Sequence, residues 1–580
     1  MTIEELKQKG LAPEWMTSAG YKTVSNGYLL DGETPIDAYN RVASAAAKAL
    51  NFKDKKIKKQ YEDKFLDYML KGWLCPASPV FSNMGTDRGL PISCFGIDVQ
   101  DSLDDIYSCL HEQAMMTKGG GGVGTSMSRI RGRGEPIKGG KNGFSEGVIP
   151  WAKNFEIGIV ATAQGGVRKG AGSINLDADH PDFHEFLRMR RPNGDTNRMC
   201  RQINHCAIVD DAFMESLCQG NEENQLKWME LMRTRLETGE PYIMFKDTVN
   251  RGNPECYKKH NLDVSMTNIC TEITLATNHE LSFVCCLSSL NLFKWDEWKD
   301  TDLPEVAVVF LNGVLNEFIN KAKGLPGMAK AVRFAEKTRA IGVGVLGWHS
   351  LLQEKMIPFE SFEAMTLNNQ IFKFISEGAN KQTRELAKVF GEPEYCKGTG
   401  VYNSHVMAVA PTRSNSIIAG DVSFGVEPFI ANAYSDQTAQ GIFIRKNRKL
   451  EAVLEALEKN DLKTWKSIVE HDGSVQHLDF LTETEKRVFR TAYEINQMAI
   501  VRQASQRQKY IDQSQSINLF FDPSIDPKVF SDIHIEAWKL KLKTLYYCRS
   551  DSVLKADSAS REGKREIFQP SIEECSSCEG

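Results

Sequence analysis

The sequence lacks the features that mark nucleic-acid-binding, membrane and secreted proteins. Its 71 Lys and Arg residues are outnumbered by 76 Asp and Glu residues, which leaves a net charge of −5 and a pI near 6.2. Proteins that follow a phosphate backbone use a basic excess, so we expect no nucleic-acid partner. No apolar run reaches the roughly 18 residues of a membrane span, and the start, MTIEELKQKG, has no apolar signal core. We therefore predict a cytoplasmic chain without a membrane partner, in the host cytoplasm if a virus encodes it.

Internal repeats are also absent, since no segment recurs with a period of about 20 to 50 residues. What is present is an ordinary globular composition over 580 residues, with 41% hydrophobic and 25% charged side chains. About 150 residues per domain would give about four domains. The 14 cysteines are the unusual part of the composition. In a reducing cytosol an even count implies no disulfide framework, and free cysteines are more often inert hydrophobes than metal ligands or redox groups.

Apolar patterning predicts a helical start followed by a long α/β region. Thr34 can cap a helix, Pro35 suits its first position, and residues 36–73 alternate apolar and Lys/Glu-rich turns. Short runs rich in Val, Ile and Cys follow, several of them apolar on both sides, as buried parallel strands are. The predicted strands are Ser93–Val99, His205–Asp211, Pro241–Lys246, Ser282–Leu292, Ile341–Trp348 and Val406–Pro411. With helical patterns between them, as at Ser361–Phe390 and Lys449–Glu470, this α/β alternation predicts one large closed or doubly wound sheet.

The last 32 residues, Arg549–Gly580, are rich in Ser, Lys, Glu and Asp and hold few large apolar side chains. Such a segment cannot bury enough surface to offset its ordering entropy, so we predict a flexible tail. It ends in Cys575 and Cys578, and a CxxC pair on a mobile arm is typical of a dithiol shuttle. Half a zinc site is the alternative, but only Cys548 lies near and no His follows His534, so we expect no metal.

Two glycine-dense segments with neighbouring cations, Lys118–Gly124 and Gln164–Gly172, suit backbone N–H contacts to a phosphate. Flexible turns of similar composition are common, so the pattern alone leaves both interpretations open. The segment Ala410–Ser416 follows an apolar run and combines hydroxyls, an amide and a guanidinium. It predicts either anion binding at a helix start or a plain capping turn.

A third pattern combines an amide, a thiol and a carboxylate. In an extended chain, Asn268, Cys270 and Glu272 would point to one face, where they could act as hydrogen-bond clamp, redox centre and general base.

Adjacent Cys285 and Cys286 must face opposite sides of a strand. By themselves both are more typical of a core than of a catalytic site.

Ten motifs, taken together and in order, resemble the large, catalytic subunit of ribonucleotide reductase. They are SPVFSN, ISCF, GGGGVG, GGVRKGA, TNICTEI, CCLSSLNL, APTRSNS, IDQSQSIN, KTLYY and the terminal CxxC, spread over residues 78–578. The resemblance implies an α/β fold built on a ten-stranded barrel with a central finger loop. It divides the chain into an N-terminal helical region (1–72), the barrel (73–548) and a flexible redox tail (549–580).

The resemblance also implies the roles of the reactive residues. Cys270 is expected to become the thiyl radical that removes the ribose 3′ hydrogen, with Glu272 as the base for the 3′ hydroxyl and Asn268 bonding the ribose hydroxyls. Cys94 and Cys285 match the pair that supplies two reducing equivalents as it forms a disulfide. Counting back from the Leu-Ser motif selects Cys285, and strand alternation turns Cys286 away.

The resemblance further implies nucleotide sites. The substrate phosphates are assigned to Ser78, Ser93, Thr412, Arg413, Ser414, Asn415 and Ser416. Arg413 stands where a common class I pattern has an acidic residue. Whether the substrate is a diphosphate or a triphosphate therefore stays open. The effector residues, for a dNTP or ATP at the specificity site, are Asp101, Ser102, Leu103, Arg131 and Arg168. Two sites of this kind would be coupled reciprocally.

Tyr546 and Tyr547 favour class I, in which such a pair relays an oxidising equivalent from a separate small subunit to the finger-loop cysteine. That partner would hold the radical cofactor, dimetal or metal/tyrosyl, and we expect no cofactor bound in this chain. Thioredoxin or glutaredoxin is the expected reductant. The specificity-site residues favour a homodimer, and contacts with the radical subunit alone are the alternative. No cone-like signature precedes SPVFSN, so we expect no overall inhibition by dATP. The adenosylcobalamin-dependent class is the alternative, and a non-enzymatic nucleotide-binding or thiol-exchange protein is the remote one.

Overall fold

The computed structural model describes residues 1–162, 170–191, 194–438 and 441–550, with backbone alone over 435–438 and 441–445. The strands are β1 (Leu74–Pro76), β2 (Cys94–Asp98), β3 (Gly122–Ser126), β4 (Gly172–Asp177), β5 (Asn204–Val209), β6 (Tyr242–Phe245), β7 (Phe283–Cys285), β8 (Leu287–Asn291), β9 (Gly342–Leu346), β10 (Ala433–Thr438), β11 (Gly441–Lys446), β12 (Leu519–Phe520), β13 (Thr544–Leu545) and β14 (Cys548–Arg549).

Helices cover the outside of these strands. They are α1 (Ile3–Gln8), α2 (Ser18–Ser25), α3 (Pro35–Ala49), α4 (Lys55–Leu70), α5 (Ser78–Asn83), α6 (Leu103–Lys118), α7 (Val148–Thr162), α8 (Phe183–Arg188), α9 (Asp211–Cys218), α10 (Glu222–Thr238), α11 (Lys246–Arg251), α12 (Glu255–Lys259), α13 (Trp295–Trp298), α14 (Leu303–Ala322), α15 (Ala329–Thr338), α16 (Trp348–Glu354), α17 (Phe362–Phe390), α18 (Arg413–Ile418), α19 (Arg448–Ala456), α20 (Leu462–Glu470), α21 (Glu483–Val488), α22 (Gln497–Gln508) and α23 (Pro527–Lys539). Short 3-10 turns lie at Thr196–Arg198, Leu292–Lys294 and Glu394–Cys396. No helix in these described ranges is long and apolar enough to cross a membrane.

The N-terminal helices begin where short polar side chains cap them. The predicted start of α3 is confirmed, because Thr34 Oγ1 accepts from Asp37 N at 3.2 Å and the Asp37 carboxylate accepts from Thr34 N at 3.0 Å. Helix α3 packs directly on α14 of the barrel layer, where Asn316 Nδ2 donates to Ala49 O at 2.9 Å. The N-terminal helices and the barrel therefore share one apolar core.

The barrel consists of two parallel halves that meet antiparallel at two seams. Strands β2 to β6 pair in parallel in chain order. In the other half, β8 pairs in parallel with β9. Single parallel bridges then join Val343 on β9 to Met407, and Val409 to Gln515, which lies just before β12. Parallel pairing of β12 with β14 completes that half.

The seams close the sheet. At one seam β7, which continues into β8, pairs antiparallel with β2. At the other, β13, which continues into β14, pairs antiparallel with β6. Each half contributes five strands within the described residues, so the predicted ten-stranded α/β barrel is confirmed.

The run Val406–Pro411 departs from a regular strand. Its bridges are isolated because the N–H groups of Val406 and Met407 donate instead to the Asp512 carboxylate, at 2.7 and 2.9 Å. A side chain thus replaces part of the ladder that the apolar pattern predicts.

The predicted helix Lys449–Glu470 is also corrected, since the structure has two helices there, α19 and α20. Glu458 adopts a left-handed conformation at φ +57°, and Asp461 starts α20 by accepting from Thr464 N at 2.8 Å. Both helices belong to a second, smaller apolar core built around Trp465.

The predicted finger loop, residues 267–277, threads the inside of the barrel and is held by strands of both halves. Asn175 on β4 exchanges two hydrogen bonds with the Thr267 backbone, both 3.3 Å long. From the other half, Ser514 N donates to Glu272 O at 2.9 Å and Thr544 Oγ1 donates to Thr271 O at 3.0 Å. The loop backbone is therefore paired although it is buried.

We expect Gly124→Ala to destabilise the protein. A Cβ atom there would lie 2.6 Å from Thr267 O, so the finger loop must shift, at a cost of about 1–3 kcal/mol. Urea denaturation measures the change in the free energy of unfolding. Gly158→Ala on α7 is the control, because its nearest neighbour is Gln113 Oε1 at 3.4 Å. Equal stability of both variants would contradict close packing of the loop on β3.

Candidate active site

The tip of the finger loop presents a buried thiol to a tyrosine. Tyr546 OH donates to Cys270 Sγ at 3.4 Å, and Cys270 is 1% exposed. The loop is not extended there, which corrects the geometry assumed from sequence. Residues 269–270 form a turn, Thr271 N donates to Asn268 O at 3.2 Å, and Thr271 takes φ +68°. Cys270 is presented by this strained turn rather than by strand alternation.

Cys94 and Cys285 lie directly opposite each other on antiparallel β2 and β7. Opposed residues on such strands have Cα atoms about 4.5–5.5 Å apart, within the span of a disulfide. Burial and the hydrogen bond with the Cys94 thiol hold the pKa of Cys285 well above its ordinary value. Cys286 points outward, where its Sγ lies 3.5 Å from Leu311 O on α14. This geometry supports Cys285 as the partner of Cys94.

Glu272 is a buried carboxyl group that interacts with the Cys94 thiol and with Ser516. Burial first, and then the neighbouring Cys94, raise the pKa of Glu272 to about 8. Ser516 holds both this side chain and the loop tip, since its Oγ lies 3.3 Å from Glu272 Oε2 and donates to Cys270 O at 2.5 Å. Near neutral pH the carboxyl group therefore exchanges a proton readily, as an acid–base catalyst must.

Asn268 has one atom committed to the loop and one that is available. Its Oδ1 accepts from Ile273 N at 3.1 Å. Its buried Nδ2 makes no hydrogen bond of good geometry among the described residues, but the amide lies close enough to the Glu272 carboxyl group to act on its pKa in the lowering direction. An unpaired buried amide is costly unless a ligand completes it. The orphan donor supports a hydrogen bond from Asn268 to a bound molecule.

Tyr546 and Tyr547 form a contact pair, with ring centroids 4.4 Å apart. Two residues in contact with this pair were not predicted from the sequence. Tyr242 on β6 packs its ring 4.7 Å from that of Tyr546 and 5.0 Å from that of Tyr547. Asn204 Nδ2 donates to Tyr547 OH at 2.8 Å. Nothing in their local sequence marks these two residues, because pairing of β5, β6 and β13 brings them in.

A cleft of about 620 Å³ leads to the thiol and the tyrosines, and Arg413 and Glu427 contribute to its lining. Glu427 Oε1 accepts from Asn518 Nδ2 at 2.8 Å, and Asn518 Oδ1 accepts from Tyr547 N at 3.0 Å. Burial raises the pKa of Glu427 to about 7. The Arg549 guanidinium lies 4.8 Å from the Tyr547 ring centroid. Glu427 and Arg549 were likewise not found from the sequence.

The phosphate-binding residues predicted after Pro411 surround the start of α18. Thr412, at φ +54°, makes no side-chain cap and instead accepts from Gly425 N at 2.8 Å through Oγ1, which also contacts Ser416 Oγ at 3.0 Å. Its conformation is therefore not that of a plain capping turn. Asn415 Nδ2 is buried without a hydrogen-bond partner among the described residues, whereas Ser414 is half-buried.

The two predicted serines lie before barrel elements. Ser78 is the first residue of α5, and its hydroxyl accepts from Tyr28 OH at 3.2 Å. Ser93 directly precedes β2 and Cys94, and both serines are buried. The phosphate roles of these residues stay predictions.

The predicted effector residues gather at the start of α6. Ser102 caps this helix, and Arg131 Nε donates to Asp101 Oδ2 at 2.8 Å. Leu103 is 63% exposed. Arg168, Cys575 and Cys578 lie outside the described residues. Within the described ranges, no cluster of three or more His, Cys, Asp or Glu side chains could hold a metal ion.

Family models identify both parts of the fold. The ribonucleotide reductase barrel-domain model matches residues 92–227, 222–398 and 393–548, and the all-alpha-domain model of the same enzymes matches residues 14–89. These matches define an oxidoreductase of deoxyribonucleotide synthesis. The chain belongs to the ribonucleotide reductase large-subunit family, at the class I-like level, which confirms the resemblance in its motifs.

Proteins of similar sequence and structure match almost the whole chain. It is 37% identical over 544 residues to a putative ribonucleoside-diphosphate reductase large subunit of Frog virus 3 (isolate Goorha), covering 90% of this chain and 93% of that protein. It is 35% identical over 588 residues to the ribonucleoside-diphosphate reductase large subunit of Invertebrate iridescent virus 3, covering 89% of this chain and 91% of that protein. A solved class Id ribonucleotide reductase alpha subunit from Actinobacillus ureae is 41% identical, with TM-score 0.85, covering 94% of this chain and 99% of that one.

The raised pKa of Glu272 predicts how stability depends on pH. The folded protein binds this proton more tightly than the unfolded chain, whose carboxyl group titrates near 4.5. The contribution of Glu272 to wild-type stability should therefore fall as the pH rises from about 4.5 to about 8. Glu272→Gln removes this loss. The free energy of unfolding of the variant should therefore rise relative to that of wild type across that window, by on the order of a few kcal/mol.

Urea denaturation at a series of pH values measures this difference. Glu215→Gln, at an exposed position on α9, is the control and should show no such trend. Parallel stability curves for wild type and Glu272→Gln would contradict a buried carboxyl group of raised pKa.

Proposed function

We propose that this chain reduces ribonucleoside diphosphates to 2′-deoxyribonucleotides by thiyl-radical chemistry at Cys270. The observation that carries the proposal is the 3.4 Å contact between Cys270 Sγ and Tyr546 OH inside the barrel. A buried thiol in contact with a phenol can pass a hydrogen atom to the phenoxyl radical and become a thiyl radical. Burial protects that radical from solvent.

The residues around Cys270 supply the remaining steps. The Cys270 thiyl radical takes the ribose 3′ hydrogen and returns a hydrogen at the end of the cycle. Glu272 accepts the 3′ hydroxyl proton, and the unpaired Nδ2 of Asn268 bonds a ribose hydroxyl. The 2′ hydroxyl leaves as water, and the two electrons and two protons come from Cys94 and Cys285, which become a disulfide. Their opposed positions on β2 and β7 support this pairing.

We assign radical entry to Tyr547 and Tyr546, in that order. Their rings are in contact, and both line the cleft that leads to the surface. The oxidising equivalent would come from a separate small subunit that holds the metal-based radical cofactor. The contact between the two aromatic rings and the family support this assignment.

Nucleotides would occupy two sites. Ser78, Ser93 and the Thr412–Ser416 turn bind the substrate diphosphate, supported by the unpaired Asn415 Nδ2. A dNTP or ATP effector binds at Asp101, Ser102, Leu103 and Arg131, with Arg168 relaying its identity. Exposed apolar side chains on the neighbouring helices α6 and α7, including Tyr107, Ile157 and Val160, support a homodimer contact beside that site.

The remaining assignments complete the cycle. Thioredoxin or glutaredoxin reduces Cys575 and Cys578, and these thiols then reduce the Cys94–Cys285 disulfide by exchange. We place the enzyme in the cytoplasm, where thiols stay reduced between turnovers.

We expect Cys285→Ser to lower CDP reduction by about a hundredfold or more, because a hydroxyl cannot form the disulfide. The assay uses the full chain, a small radical-bearing subunit and dithiothreitol. Cys286→Ser is the matched control and should stay within about threefold of wild type, since its sulfur faces α14. Full activity in Cys285→Ser with loss in Cys286→Ser would reverse the assignment.

We also expect Tyr546→Phe to abolish turnover in the same assay, because phenylalanine has no phenolic hydrogen to exchange with Cys270. Tyr510→Phe, whose hydroxyl donates to Asn369 Oδ1 at 2.9 Å, should remain active. Radical transfer through Tyr546 would be refuted by a fully active Tyr546→Phe enzyme. Turnover with adenosylcobalamin alone would exclude the class I mechanism.

A further inference from the structure

Two cysteines with no place in the proposed mechanism lie side by side behind the finger loop. Cys256 on α12 is 1% exposed, and Cys396 at the end of the 3-10 turn Glu394–Cys396 is fully buried. Both sulfurs reach the same stretch of backbone. Cys256 Sγ lies 3.8 Å from Ser404 O, Cys396 Sγ lies 3.7 Å from Thr338 O, and Ser404 N donates to Thr338 O at 2.9 Å.

The two thiols also contact each other in an asymmetric way. The two thiols lie within hydrogen-bonding reach of each other, and this contact lowers the pKa of Cys256 and raises that of Cys396. Reactive dithiols have this arrangement, in which one sulfur attacks as a thiolate and its neighbour resolves the product. The other buried cysteines outside the active site whose pKa shifts are resolved have raised pKa values, as Cys206 and Cys286 show.

A second cavity gives access to one of the pair. It encloses about 390 Å³ and is lined by Cys256, Thr399, Asn403 and Ser404, whereas Cys396 does not line it. A molecule that enters this cavity meets Cys256 first, with Cys396 behind it. Cys256 is therefore the entry thiol and Cys396 the resolving thiol.

We propose that Cys256 and Cys396 form a second redox-active dithiol, separate from the active site, that a small hydroperoxide oxidises through this cavity. The Cys256 thiolate attacks the peroxide, the O–O bond breaks, and Cys256 becomes a sulfenic acid while water or an alcohol leaves. The Cys396 thiol then displaces water from this group and forms the disulfide. Two thiols and one hydroperoxide give one disulfide, one water and one water or alcohol.

The site is coupled to the finger loop through the next residue. Tyr257 OH accepts from Ala276 N at 3.3 Å, so α12 supports the returning arm of the loop that carries Cys270. A disulfide would tie α12 to the 3-10 turn at residues 394–396. Oxidation at this pair therefore acts on the element that supports the active-site loop.

The test oxidises the reduced full-length chain with hydrogen peroxide, blocks the remaining thiols with iodoacetamide and maps the peptides by mass spectrometry. We expect a Cys256–Cys396 linked peptide that dithiothreitol converts back to two free thiols. In Cys396→Ser the link is lost and Cys256 accumulates as a sulfenic acid that reacts with dimedone. Cys206, which does not line the cavity, should stay reduced in every sample.

A second measurement uses the alkylation rate of Cys256 in the native protein. Cys396→Ala removes the hydrogen-bonding partner of Cys256 and should slow the labelling of Cys256 by about threefold or more, whereas Cys396→Ser keeps such a partner and should label near the wild-type rate. The proposal is overturned if no Cys256–Cys396 link forms under conditions that join Cys94 to Cys285, or if the link forms only in urea. Equal labelling rates in both variants would also overturn it.

Discussion

Burial of a polar loop inside a closed sheet is the constraint on which the rest of the structure depends. Residues 267–277 could not lie within the barrel unless their backbone groups found partners there. Asn175 supplies partners from one half, while Ser514, Ser516 and Thr544 supply them from the other. Both parallel halves thus make contacts with the loop. Closure of the barrel and presentation of Cys270 therefore depend on the same packing.

The same burial sets the chemistry of the site. With water excluded, Cys285 stays protonated and the pKa of Glu272 rises toward neutrality. Such an environment favours the roles that we propose, a thiol that gives up a hydrogen atom and a carboxyl group that exchanges a proton. The seam between β13 and β6 adds the tyrosines, because the segment that closes the barrel is also the one that carries Tyr546 and Tyr547. One short segment therefore serves both the fold and the radical route that we propose.

Local patterns predicted the fold wherever local forces decide it. The cap at Thr34 and the apolar strands β2, β5, β6 and β9 follow from neighbouring residues, and the structure has them within a residue or two. The run Val406–Pro411 and the split between α19 and α20 did not follow, since a distant carboxylate and a left-handed residue override the pattern there. The finger loop is a similar case, because its turn at Cys270 depends on partners hundreds of residues away in the chain.

The sequence by itself determined the family, because the ordered motifs are a property of the chain alone. It also predicted the catalytic residue types and, from strand alternation, Cys285 rather than Cys286. Only the tertiary structure brought Tyr242 and Asn204 to the tyrosine pair, and placed Cys396 behind Cys256. These contacts join residues far apart in sequence, and no local periodicity encodes them. Pairing of strands and packing of helices decide such contacts, since they minimise buried unpaired groups over the whole barrel rather than over any one segment.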